Sequence, residues 1–444
     1  MLFASRFGVG AGRSARWLCT LTLALALAAC GASTQQPIGD VSQQAARYIA
    51  LALAVEKLRP GEVDAYFGAA PPVPATVHPP QDLAAVQEQA RQLMAAVSAD
   101  QQRQPSVRRS RLLGKLRQLQ ASVALLRASS PPPFDAQARL VYRVHVDITE
   151  SATQLAALRN ALQRQLPGVG PLTVRMQTWR SGTLIPQDRR AAVFERAVQE
   201  CRRRTALHWT LPPGESLHIE WTRQTPAAWH RYLGRLQSRL QVNPDAVAYL
   251  HSVITLACHE TYPGHHAQYL QRELAAQAPG LLPEDQLVLL HSTESVLLEA
   301  AATLAANRVF PALERERFER EVLAPLAGLA PAAPAAAQVA DLEAQLVQAA
   351  LPTLRAYHDG SLPAAQALRR LQEEHLVPDG AALLQFARTQ GAYVLGYTAL
   401  VNLLGHSLGP DSTALSAQAW DQLRQVVADP AHVRLPFLIE ADQQ

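Results

Sequence analysis

The residues best suited to chemistry lie in one stretch, His259-Glu260-Thr261-Tyr262-Pro263-Gly264-His265-His266. It sits inside an apolar-periodic segment, 245–276, that otherwise predicts one buried helix. Three imidazoles and a carboxylate are costly to desolvate unless something pairs with them. A divalent metal held by histidines, with Glu260 beside it as a base, accounts for the cluster. The usual His-Glu-x-x-His spacing is absent, because the position four after His259 is Pro263, which cannot ligate. On an ideal helix His266 would return to the face of His259 about 10 Å further along, and His265 would point about 120° away. Pro263 breaks that ideal, and Gly264 permits a bulge that would bring His265 onto the metal face. These residues alone leave His265 and His266 both open as the second ligand. A carboxylate from the next helix is expected as the third, with Glu294 and Glu299 as candidates.

The elements that must position these groups read as mainly helical. The chain of 444 residues is rich in Ala, Leu and Gln and poor in β-branched residues, which favours an α-helical globule. Helical spacing runs through 41–58, 81–99, 106–128, 135–165, 227–241, 245–276, 284–308, 312–325, 334–357, 362–375, 380–407 and 413–428. Strand character is confined to 207–211 and 216–221 around a Pro-Pro-Gly-Glu turn, with 172–179 as a further strand. The expectation is one large, mainly α-helical domain over 41–444, with a small β insertion at about 172–221. His208 and His218 fall in the expected strands and read as surface residues. The Ala- and Pro-rich stretch 324–336 reads as an inter-helix loop.

Net charge is +4, and the only lysines are Lys57 and Lys115. The arginines alternate with acidic residues and Gln, with no aromatic-basic stripe, so no nucleic-acid partner is expected. At the N-terminus Arg6, Arg13 and Arg16 precede an apolar run, Trp17 to Ala29, too short for an ordinary membrane span. That is the pattern of a secretory signal over 1–29. Leu27-Ala28-Ala29-Cys30-Gly31 resembles the lipobox of bacterial lipoproteins, in which the cysteine is acylated and becomes the mature N-terminus. The resemblance implies lipidation at Cys30, a polar tether over 30–40, and a soluble domain anchored by lipid at a cell-envelope membrane, in the periplasm or on the outer membrane. Cys201 and Cys258 remain for the mature chain. In an oxidising compartment they could pair, and two buried free thiols are an equal expectation.

Further segments join the central stretch in one resemblance. His-Glu-x-x-Pro-Gly-His-His is similar to the signature of a bacterial family known as domain-of-unknown-function family 885, whose members are often lipoproteins and are grouped with zinc metallopeptidases. Pro60-Gly-Glu-Val-Asp-Ala-Tyr-Phe-Gly68, Tyr232-Leu-Gly-Arg-Leu-Gln-Ser-Arg-Leu-Gln-Val-Asn243, His358-Asp-Gly360 and Tyr393-Val-Leu-Gly-Tyr397 resemble its other segments. The resemblance implies one zinc ion on His259, His265 and Glu299. It also implies Glu260 as general base and His266 or a tyrosine, Tyr393 or Tyr397, as the oxyanion donor. An arginine of the family pattern falls at Gly391 here, a departure that bears on substrate-carboxylate binding. The expected activity is hydrolysis of peptides by metal-activated water. Two other classes fit the same ligands: a non-haem iron enzyme with two histidines and one carboxylate, and a non-catalytic metal-binding envelope protein. Glu260, directly after the first ligand, argues against the iron class.

Overall fold

Capped amphipathic helices make up most of the chain. The computed structural model describes residues 39–68, 79–149, 151–166, 168–224, 227–277, 282–329, 336–409, 415–430 and 433–439. The expected signal segment and Cys30 lie outside the described residues. The protein is mainly α, and Asp40–Gln444 forms one compact unit. Helix α1 (Val41–Leu58) starts on Asp40, whose carboxylate accepts from the Ser42 amide at 2.8 Å. After strand β1 (Val63–Tyr66), Asp82 caps α2 (Leu83–Arg103) and Ser106 caps α3 (Val107–Arg127). Such caps satisfy amides that the first helical turn leaves without partners. These three helices bury Tyr48, Leu93, Leu112, Leu116 and Leu119 in a core of their own.

Next come α4 (Phe134–Leu140), α5 (Ala152–Gln165), α6 (Leu172–Gly182) and α7 (Arg190–Thr205). Two expectations fail here. The helix expected over 135–165 is interrupted, because 141–149 is rich in β-branched residues and Val144 pairs in a β-bridge with Leu438, a setting those side chains favour. The strand expected at 172–179 is the helix α6, with Leu172 and Met176 buried one turn apart.

The β insertion lies further along than expected. Strands β2 (Ser216–Trp221), β3 (Ala228–Gly234) and β4 (Gln237–Val242) form a sheet in the order β2-β4-β3, β2 parallel and β3 antiparallel to β4. The segment 207–211 is not a strand, and 227–241, expected as a helix, is a hairpin. In β3 Tyr232 is buried while Trp229, Arg231 and Leu233 are exposed, a period of two. Arg235 and Leu236 turn the hairpin with φ of 53° and 61°. Both left-handed values suit a two-residue turn whose usual mark is Asn-Gly, and neither residue carries that mark.

Helices α8 (Leu250–Glu260) and α9 (His265–Gln277) follow, then strand β5 (Leu287–Leu289) and α10 (Thr293–Arg308). Strand β5 pairs antiparallel with β1, and its Leu287 and Leu289 complete the core of α1–α3. Helix α11 (Ala312–Phe318) runs through a π-turn into the short α12 (Ala324–Ala327). Beyond it lie α13 (Ala336–Gln348), α14 (Leu351–His358), α15 (Ala364–Arg369), α16 (Gly380–Gln390), a 3-10 segment (Gly391–Tyr397), α17 (Ala399–Ser407) and α18 (Ala417–Ala428).

Helix α10 runs through the main core. From Ser295 to Ala306 all but one of its residues are buried, and its run of alanines lets α8, α17 and the 3-10 segment pack closely on it. Cys201 of α7 and Cys258 of α8 are joined in a disulfide with Cα atoms 5.4 Å apart, so the free-thiol expectation is corrected.

Candidate metal centre

The helix expected across the histidine stretch is broken in two. Helix α8 ends at Glu260 and α9 begins at His265. Pro263 carries no amide hydrogen, and the Tyr262–Pro263 bond is cis. The chain folds back so that the Gly264 amide donates to the Cys258 carbonyl at 3.0 Å. A Cβ on Gly264 would fall 1.7 Å from the His259 carbonyl oxygen, so only glycine fits. The histidines reach one point through this sharp turn, and the π-bulge considered from the sequence is absent.

His259 at the end of α8, His265 at the start of α9 and Glu299 in the middle of α10 converge, their ligand atoms all within 4.8 Å of one another. His259 Nε2 lies 3.3 Å from Glu299 Oε2, and His265 Nε2 lies 3.4 Å from Glu299 Oε1. The two imidazoles stand almost perpendicular, with centroids 4.8 Å apart. Glu299 Oε2 is buried and has no hydrogen-bond partner. A buried carboxylate oxygen left in that state is costly, and a cation between the three groups would satisfy it. Two imidazoles and one carboxylate form the kind of three-residue donor set that in catalytic zinc sites leaves the fourth position to water. These residues therefore fit a single divalent ion. On the far side of the His259 ring, Nδ1 is 3.4 Å from Thr303 Oγ1, one turn after Glu299, the kind of contact that fixes a ligand ring.

Burial raises Glu299, but His265 and His259 beside it hold it well below the usual carboxylate range. Burial lowers His265, and the Glu299 charge and hydrogen bond outweigh it, pushing His265 up to about 9. Glu260 is raised by burial, partly offset by His259 and His265. That is the direction that makes a carboxylate a better base near neutral pH. Glu294, the other candidate ligand, is engaged elsewhere: it accepts from Lys115 at 2.8 Å and lies 3.3 Å from Arg272.

Tyrosines close the site. The Tyr393 hydroxyl donates to Glu299 Oε1 at 3.0 Å and meets Ser295 Oγ at 3.0 Å. Tyr397, only half-buried, stacks on His259 at 5.9 Å between centroids. Burial, followed by the Glu299 charge, raises both phenols well above their usual range. The 3-10 segment reaches α10 because Gly396 has no side chain; a Cβ there would meet the Glu299 Cβ at 2.8 Å. Gly391, where the family pattern has an arginine, has φ of 54°, and a Cβ would fall 2.1 Å from Gln137 Oε1. Gln137 thus occupies that ground, its Oε1 accepting from the Ala392 amide at 3.1 Å.

His266 is not where the sequence placed it. It is fully buried, with Nδ1 at 2.7 Å from Ser238 Oγ and Nε2 at 2.9 Å from Glu215 Oε2. Both ring nitrogens are engaged, so His266 has no donor left for an oxyanion and serves the packing of the β insertion on α9. His208 and His218 are surface residues, as expected.

Sequence reasoning assigned no role to three neighbours of the site. His230 of β3 stacks parallel to Tyr269 with centroids 5.9 Å apart, lies at 27° to the His265 ring with centroids 5.8 Å apart, and bonds Ser238 Oγ at 2.9 Å. Asp64 of β1 accepts from the Tyr269 hydroxyl and is raised by burial, an effect this bond partly offsets. The alternation Trp229-His-Arg-Tyr-Leu233 carried the signal that would have put His230 on an inward strand face.

No family model matches the chain, and no curated protein matches it. Among solved structures it is similar to the crystal structure of a protein from Colwellia psychrerythraea provisionally named a lipoprotein. The two are 13% identical with a TM-score of 0.47, over 79% of this chain and 70% of that one. At that level the likeness assigns neither site nor activity, and the family resemblance rests on the quoted motifs.

Proposed function

We propose that this chain is an envelope-tethered, metal-dependent hydrolase, a zinc peptidase with Glu260 as general base. One observation carries the reading: the ligand atoms of His259, His265 and Glu299 lie within 4.8 Å of one another while Glu299 Oε2 is buried without a hydrogen bond. When bound there, zinc supplies a Lewis acid that lowers the pKa of water towards about 7 and polarises a carbonyl.

The chain's own residues do the rest. Glu260, directly after a ligand and raised by burial, takes the proton of the attacking water and hands it to the leaving amine. Tyr397 keeps its proton at neutral pH and offers its O–H to the developing oxyanion. Tyr393 holds Glu299 in its rotamer through the 3.0 Å hydrogen bond. The tether follows from the lipobox-like Leu27-Ala28-Ala29-Cys30.

The reading is tested on the purified chain and its Glu260→Gln variant, by metal content and by cleavage of a mixed peptide library. Equal zinc in both with cleavage only by the wild type is expected. Iron as the bound metal, or unchanged cleavage by the variant, would sink the mechanism.

A further inference from the structure

A bulge in β1 aims a third carboxylate at the metal centre. Val63 pairs with Leu289 and Ala65 with Val288, so Asp64 is an extra residue that the ladder leaves unpaired. Bulges of this kind re-aim a side chain and recur next to active sites. We propose that Asp64 binds the free α-amino group of a peptide whose first carbonyl lies at the metal, which makes the chain an aminopeptidase. The inference rests on the zinc-peptidase reading and adds to it the end of the substrate that is recognised.

Position is the first argument. Asp64 Oδ2 accepts from the Tyr269 hydroxyl, and Tyr269 lies one turn after the ligand His265 on α9. The rings of Tyr269 and His265 both pack against His230, with centroids 5.9 and 5.8 Å away. The charges of His265 and Glu299 act on Asp64, and the Asp64 charge acts in turn on Glu260, Tyr393 and Tyr397. Those groups come from α8, α9, α10 and the 3-10 segment, so Asp64 stands among them. An α-amino group sits next to the carbonyl of its own residue, whereas a lysine ammonium stands a four-carbon stem away. A carboxylate this close to the metal ligands therefore suits the α-amino group.

Openness is the second argument. Asp64 is only partly buried, as are His265 and Tyr397. Its Oδ1 accepts no hydrogen bond among the described residues and is not sealed from solvent. An ammonium would give that oxygen a charge-assisted hydrogen bond, the strong kind.

Charge is the third. The guanidinium that acts on Asp64, that of Arg272, is already bound to Glu294 at 3.3 Å and to the Asp285 carbonyl at 3.0 Å. With both imidazoles neutral, the two positive charges of zinc would face the carboxylates of Glu260, Glu299 and Asp64. One negative charge is left over. A substrate ammonium balances it, and a substrate carboxylate in the same place would be repelled.

The test is calorimetric titration of the zinc-loaded full chain with leucine hydroxamate and N-acetyl-leucine hydroxamate, whose shared hydroxamate binds zinc. The free amine is expected to bind about tenfold tighter or more. Asp64→Asn should bind the two alike, the loss falling on the free amine, with zinc content unchanged. Tyr269→Phe keeps the carboxylate and should keep the preference; if Asp64 served only to hold Tyr269, both variants would lose it. N-acetyl-lysine hydroxamate, whose ammonium is on the side chain, should bind like N-acetyl-leucine hydroxamate. Equal binding of the two leucine hydroxamates by the parent, an undiminished preference in Asp64→Asn, a lost one in Tyr269→Phe, or tight binding of the lysine compound would overturn the inference and leave the peptidase reading standing. A chain that takes up no zinc, or binds none of the hydroxamates, would overturn the peptidase reading itself, and the inference would fall with it.

Discussion

Among single residues, Glu299 bears the heaviest demand. It is buried in the main core, its Oε2 makes no hydrogen bond, and two imidazoles face the carboxylate. Removing a ligand should therefore remove the ion: Glu299→Gln and His265→Ala are each expected to lose zinc under conditions where Glu294→Gln keeps it, as read by elemental analysis after gel filtration. Tyr397→Phe deletes the proposed oxyanion donor and should lower kcat about 10- to 1,000-fold with zinc content unchanged; an unaltered kcat would move the donor role elsewhere. The sequence made His259, Glu260 and the pair Glu294/Glu299 legible, because ionisable groups among apolar helical positions stand out. It did not separate His265 from His266. Their fates depend on a turn whose direction is set by Gly264 packing against the His259 carbonyl, a contact with no local signature. Nor did it reveal that Glu215 and Ser238, both outside the histidine stretch, would claim His266.

Among elements, the turn between α8 and α9 is the decisive one. Gly264→Ala would drive a methyl into backbone that cannot retreat without moving the His259 carbonyl. The expected cost is more than about 2 kcal/mol of stability together with lost zinc affinity, measured by chemical unfolding and by competition with a chelator. A variant as stable as the parent would show that the turn has slack. The same end of α8 is tied to α7 through Cys258 and Cys201, 57 residues apart. Cys201→Ala/Cys258→Ala should lose about 2–4 kcal/mol, seen as a lower denaturation midpoint. Long periodic helices such as α1 and α3 were readable because caps and apolar spacing agree. The β insertion was misplaced because its hairpin turns on Arg235 and Leu236, which carry no turn signal, and because β3 mixes large aromatics with charged residues that also suit a helix face.

Across the whole molecule, Glu215 joins several parts: it accepts from Arg202 of α7 at 2.7 Å, Tyr262 of the turn at 2.7 Å and His266 of α9 at 2.9 Å. Burial opposes ionisation, but the hydrogen bonds from His266, Tyr262 and Arg202 outweigh it and hold Glu215 at about 2. Because the folded value lies below the unfolded one, its contribution to stability is full above about pH 4.5 and is lost as pH falls towards 2. The stability gap between wild type and Glu215→Gln should thus narrow steadily between pH 5 and pH 2.5, as followed by urea unfolding at each pH; a constant gap would contradict the assignment. The mainly α architecture was readable from composition, whereas the meeting of β1 with β5, more than 200 positions apart, was not. Such long-range pairing leaves no local periodicity to read. At this scale the proposed tether predicts that Cys30→Ser moves the chain from the membrane to the soluble fraction.

The central claim is that His259, His265 and Glu299 hold one catalytic zinc ion with Glu260 beside it. Its most direct test is zinc stoichiometry measured alongside peptide cleavage in wild type, Glu260→Gln and His259→Ala. The account predicts about one zinc per chain in the first two, little or none in the third, and cleavage by the wild type alone. Full zinc occupancy in His259→Ala, or wild-type cleavage by Glu260→Gln, would contradict it.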